Sequence, residues 1–79
     1  NNVIIGMSAG YSINNSGADD NIIIGRGAGS GGTGNFLRNI AIGRDALNST
    51  AGNTSQGQIA IGYNAGTQIT TGTQNTLIG

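Results

Sequence analysis

The chain has no cysteine, histidine, proline, lysine, glutamate or tryptophan. Without cysteine, a disulfide framework and a thiolate metal site are excluded. The usual general bases and nucleophiles are missing with histidine, cysteine, lysine and glutamate. No enzyme is expected, and no cofactor or metal is assigned. Charge is scarce as well. Arg26, Arg38 and Arg44 balance Asp19, Asp20 and Asp45, for a net charge of +0. That leaves no basic surface for nucleic acid and no polybasic patch for anionic lipid. The aromatics are Tyr11, Phe36 and Tyr63, too few for a base-stacking platform. No apolar run is long enough to span a bilayer, so membrane insertion is not expected.

What the chain does have is glycine, 16 of 79 residues, with isoleucines gathered in clusters. Those β-branched clusters set it apart from a disordered polar chain. The length allows one small domain, residues 1–79. A domain of this size gains much from partners.

Aligning the chain on the dipeptide Ile-Gly exposes a repeat. It occurs at Ile5-Gly6, Ile24-Gly25, Ile42-Gly43, Ile61-Gly62 and Ile78-Gly79, so the glycines lie 19, 18, 19 and 17 residues apart. Asn2, Asn21, Asn39, Gln58 and Asn75 stand four residues before them. Val3, Ile22, Ile40, Ile59 and Thr76 stand three before, and Ala9, Ala28, Ala46 and Ala65 three after. A period of about 18 with one β-branched run per period predicts an all-β parallel β-solenoid (a β-roll) of about four coils. Helical solenoids need longer repeats rich in helix formers, which are absent.

Strand alternation then assigns the columns. The positions three and one before the glycine, Val3, Ile5, Ile22, Ile24, Ile40, Ile42, Ile59, Ile61 and Ile78, are expected to fill the coil core, with Thr76 the exception. The glycine turns a corner, and the alanine fits a second tight corner. The column Asn2, Asn21, Asn39, Gln58 and Asn75 is expected to form an amide ladder between coils. The position two before the glycine holds Ile4, Ile23, Ala41, Ala60 and Leu77 and points the other way. An outward apolar column marks an interface between chains. The alternative is a flattened coil whose return segment covers both faces.

The returns between repeats are polar. Ile13 and Ile69, seven residues after their glycines, mark a candidate second strand, a column weakened by Gly32 and Thr50. Phe36 and Leu37 are unique to one return and either plug a local gap or join the interface. The repeat runs to both ends without an atypical capping coil, so the chain is expected to be a segment of a longer fibre or a subunit of an end-to-end filament.

Other motifs are weaker. Gly27, Gly29 and Gly32 satisfy G-x-G-x-x-G, yet no helical period follows and Gly29 lies within the repeat, so nucleotide binding is not expected. Gly27, Gly31 and Gly32 match no column and are assigned to a glycine-rich return. GGTGN at residues 31–35 is similar to a calcium-binding nonapeptide, but Phe36 stands at its aspartate position. Asp19-Asp20 reads as a solvated pair. Arg26, Arg44, Tyr11 and Tyr63 read as surface side chains that can touch a ligand. Asn14, Asn48 and Asn53 open N-x-S/T sequons, as expected by chance in so polar a chain.

The stretches NIAIGRDALNSTAG and QIAIGYNAGTQITTG resemble the head repeats of trimeric autotransporter adhesins, which carry N-x-x-A-I-G-x-x-A. They also resemble the N-T-A-I-G-Y-x-A-G repeats of bacteriophage tail-fibre proteins. The likeness covers essentially the whole chain, though the repeat here is longer and Ile4, Ile23 and Leu77 are bulkier than the family's alanine. It implies a left-handed β-roll and three chains around one axis, with Ile5, Ile24, Ile42, Ile61 and Ile78 lining the roll. It also implies an extracellular place on a cell surface or virion. The expected function is a structural fibre module that self-associates as a homotrimer or an end-to-end filament. The alternative is an adhesin module that binds a glycan or cell-surface receptor through its polar returns. Ice binding ranks below both, because the threonines share no column.

Overall fold

The computed structural model describes residues 1–11, 13, 18–30, 36–48, 55–67 and 73–79. They form seven short strands: β1 (Val3–Ile5), β2 (Ile22–Ile24), β3 (Phe36–Leu37), β4 (Ile40–Ile42), β5 (Ser55–Gln56), β6 (Ile59–Ile61) and β7 (Thr76–Ile78). No helix occurs among the described residues. Strands β1-β2-β4-β6-β7 lie side by side in one parallel sheet. The register steps by one repeat at a time, Val3↔Ile22↔Ile40↔Ile59↔Thr76. The chain thus leaves the end of one strand and returns to start the next beside it. An all-β fold with this parallel sheet is compatible with a β-solenoid. Each repeat is called a level below, after its strand in this sheet.

The returns carry a second parallel line. Strands β3 and β5 pair, and single bridges Asp19↔Leu37 and Gln56↔Thr73 extend the line to four levels. It sits six residues before each glycine, not at the Ile13 column that the apolar residues suggest. Ile13 is buried but belongs to no strand, and Ile69 lies outside the described residues. Phe36 points inward from β3 and is fully buried. It fills the gap between the two sheets, and Leu37 is half-buried.

The main correction concerns which face of the strand is inside. Ile23, Ala41 and Ala60 are 0 % exposed and pack in the core with Phe36, Ala46 and Leu47. Ile4 and Leu77 belong to the same column and are only partly covered, in the outermost levels. Ile23, Ala41 and Ala60 are therefore core and not an outward interface, and Ile4 and Leu77 stand on the same side of the strand. Val3, Ile5, Ile22, Ile24, Ile40, Ile42, Ile59, Ile61 and Ile78 face outward instead, half-covered or exposed, and do not fill the core. Alternation alone is symmetric and cannot choose between the two faces. The amide column chooses. It lies two residues before Ile23, Ala41 and Ala60, so it shares their face, and Asn21, Asn39 and Gln58 are buried. Their hydrogen bonds run inside the stack, which takes the neighbouring column inward too. Alanine there suits an interior that must also hold Phe36 and Leu47.

The amide column forms the expected ladder. Each backbone N–H donates to the side-chain oxygen of the level before: Asn21 to Asn2 at 3.0 Å, Asn39 to Asn21 at 2.9 Å, Gln58 to Asn39 at 2.9 Å and Asn75 to Gln58 at 3.1 Å. The Asn21 amide also donates to the Phe36 carbonyl at 2.6 Å, tying the two sheets together. A carbonyl acceptor at this position therefore satisfies a buried N–H one level on. Asn39→Leu keeps the volume but leaves the Gln58 N–H without that acceptor. The expected cost is about 1–3 kcal/mol, read as a lower urea midpoint at unchanged m-value. A midpoint equal to wild type would show that the ladder is incidental.

After each strand the chain makes a tight turn. The alanine N–H donates to the carbonyl of the glycine three residues earlier at 3.1–3.3 Å. The third turn residue is left-handed in every level: Ser8, Gly27, Asp45 and Asn64 have φ of 57–70°. Glycine, asparagine and aspartate are the residues that tolerate this conformation best. Gly27 is therefore a member of a column and not part of a loose return, while Gly31 and Gly32 lie outside the described residues. Two residues further on, Gly10, Leu47 and Gly66 are also left-handed, as is Gly29 in the same column. Leu47 is the one side chain there, and it is completely buried. Its strained backbone, costing about 1–2 kcal/mol, is offset by the apolar surface it removes from water.

Candidate association face

The outward side of the five-stranded sheet is the most unusual surface of the molecule. Val3, Ile5, Ile22, Ile24, Ile40, Ile42, Ile59, Ile61 and Ile78 stand in two vertical columns, broken only by Thr76. Their exposure reaches 58 % at Ile5 and 75 % at Ile78. With strands about 4.8 Å apart, five levels make a stripe about 19 Å long. Among the described residues no element packs over it. Monomeric proteins rarely leave so ordered an apolar surface in water.

Two polar edges border the stripe along the chain direction. On the edge just after the glycine stand Met7, Arg26, Arg44 and Tyr63, all exposed. Arg44 Nε lies 3.2 Å from Asp45 Oδ2, and its guanidinium sits 5.7 Å from the centre of the Tyr63 ring. Asp45 Oδ1 accepts from the Asn48 amide at 3.1 Å, and Asn48 Oδ1 accepts from the Ser30 hydroxyl at 3.2 Å. Asp45 and Asn48 thus fasten the turn. The Asn48 sequon places a half-buried, doubly bonded amide, and Asn14 and Asn53 lie outside the described residues.

The other edge lies five residues before the glycine and holds Asp20, Arg38, Gly57 and Gln74. All four are left-handed, with φ of 55–65°. The missing side chain at Gly57 leaves a shallow cleft of about 140 Å³, lined by Arg38, Gln56, Gly57, Thr73 and Gln74. Nothing in that lining can act as a general base near neutral pH. Asp19 and Asp20 sit at the top of this edge, where Asp19 Oδ1 accepts from the Asp20 N–H at 3.0 Å. Among the described residues no three metal-ligating side chains come together. No helix of the described residues is long and apolar enough to cross a membrane.

The sequence columns therefore meet in one construction, with roles exchanged. The ladder residues stand where alternation places them. The residues assigned to the core make the outer stripe, and those assigned to the interface make the core. The edge of Asp20, Arg38, Gly57 and Gln74 escapes a reading based on residue type, because four unlike side chains share only their backbone conformation. A repeat alignment extended to five residues before each glycine finds the column but gives no reason for it. No protein-family model, curated protein or solved structure matches the chain.

Proposed function

We propose that the chain is a structural repeat module, a parallel β-solenoid that self-associates through its outward isoleucine stripe as a segment of a fibre or filament. The observation that carries this reading is nine aliphatic side chains aligned in two columns on the outside of a sheet. Completing the burial of Val3, Ile5, Ile22 and Ile78, the four more exposed, is worth about 1–2 kcal/mol each, and the five already mostly covered add less. Together they supply on the order of 5–9 kcal/mol, within the about 4–15 kcal/mol that association costs in lost freedom. Five levels stand near the threshold, and each added level favours assembly further. A repeating module suits that energetics. The likeness to autotransporter heads and phage fibres supports a left-handed roll, a homotrimer and an extracellular or virion setting.

Native mass spectrometry at micromolar concentration tests the proposal. The wild-type chain is expected to assemble, and a stable monomer overturns the reading. Ile24→Asp with Ile42→Asp places two carboxylates in the stripe without touching the core. This variant is expected to be a folded monomer, with the far-UV circular dichroism of wild type and at least a tenfold weaker association.

A further inference from the structure

From the two polar edges we infer how copies of this chain meet: in parallel, level with level, with Tyr63 of one copy seated in the Gly57 cleft of the next. The inference rests on the self-association proposed above and deepens it. A rotation axis running along the stack keeps every level at its own height. It brings the edge five before the glycine on one copy against the edge one after the glycine on its neighbour. Equal levels of the two edges can therefore be compared directly.

At the β2 level the edges carry Asp20 and Arg26, opposite charges that form no ion pair within the described residues. At the β6 level one edge is missing a side chain, and the other projects its largest. Gly57 opens the cleft between the levels of Arg38 and Gln74. Tyr63, 65 % exposed, stands on the opposite edge at that same height. Its ring can take the Arg38 guanidinium over one face, as it already takes Arg44 of its own chain. Its hydroxyl meets the amides of Gln56 and Gln74 and the Thr73 hydroxyl, all able to bond it. At the β4 level Arg38 faces Arg44, and the Arg44 charge is already paired with Asp45. An antiparallel pair would set the β2 level against β6 and give up both matches.

Cysteine cross-linking decides the point, since the chain has no thiol of its own. Tyr63→Cys and Gln74→Cys are made as separate proteins, both at exposed positions, then mixed and mildly oxidised. The expected result is a disulfide-linked dimer in the mixture and none in either variant alone. Tyr11→Cys mixed with Gln74→Cys sets the collisional background. Wild-type assembly by native mass spectrometry without a Y63C–Q74C band above that background overturns this inference and leaves self-association standing. So does a band in Q74C alone, since two Gln74 edges never meet in the parallel arrangement. A wild-type monomer removes the self-association reading, and this inference falls with it.

Discussion

Replacing Gly43 with alanine is expected to remove about 2–6 kcal/mol, on the order of half the stability of the chain. Gly43 has φ +125°, a conformation that residues with a side chain rarely adopt. A Cβ there would lie 2.5 Å from the Gly62 carbonyl oxygen and 2.7 Å from its carbon. Those atoms are backbone and cannot rotate away. Moving them apart would strain the bonds that hold the levels together, Gly43 N–H to Ile24 and Gly62 N–H to Ile42, both 2.8 Å. Backbone strain of about 1–3 kcal/mol adds to overpacking of about 1–3 kcal/mol. At about 0.05–0.15 kcal/mol per residue, a chain of 79 residues has on the order of 4–12 kcal/mol to lose. Gly57→Ala is the contrast. Its φ is +65° and its nearest neighbour would be the Gln74 side chain at 3.4 Å, an ordinary contact. That change is expected to cost about 1–2 kcal/mol. Thermal and urea unfolding followed by circular dichroism separate the two. A cooperative transition in Gly43→Ala near the wild-type midpoint would refute the close glycine-on-glycine stacking.

The glycine column was legible in the sequence because one physical demand, close approach at a corner, admits one residue type. The ladder was legible for a similar reason. Asn2, Asn21, Asn39, Gln58 and Asn75 are all amides, and a stack of amides has an obvious bonding scheme. The facing of the strand was not, because both of its faces are apolar. A strand with one polar face declares its inside; IIIG and IAIG do not. Parity with the ladder holds the information, since a buried amide and the residue two places on must share a face. The second line of pairing was hidden more deeply. Asp19, Leu37, Gln56 and Thr73 have nothing chemical in common, and the strands there are two residues long. Such a line is held by backbone bonds, as when the Gly57 N–H donates to Leu37 at 3.0 Å and the Gln74 N–H to Gln56 at 3.0 Å. Main-chain geometry leaves no signature in residue type. The edge of Asp20, Arg38, Gly57 and Gln74 adjoins that line and was hidden with it.

Phe36→Ala is expected to be the costliest change in the core. Phe36 is the largest fully buried side chain and occurs in one level alone. Its own level supplies the alanines Ala41 and Ala46 and the next level Ala60, none of which can reach into the space it leaves; Ile23 of the level before stands beside the ring at the Gly29 corner. The Gly29 corner touches its ring: a Cβ at Gly29 would lie 3.4 Å from the Phe36 Cζ atom. Its carbonyl takes the Asn21 amide, so the backbone stays anchored while the side chain goes. An anchored backbone cannot collapse into the cavity, which puts the loss at about 3–5 kcal/mol. Phe36→Leu refills much of that volume and is expected to lose less than half as much. Urea midpoints of the two variants test this. Equal losses would mean that the site can close around either residue, and that Phe36 does not brace the two sheets apart. If it does brace them, the wild-type chain holds its outer stripe flat through a single aromatic residue. Phe36→Ala should then weaken assembly as well as folding, even though Phe36 never reaches the surface.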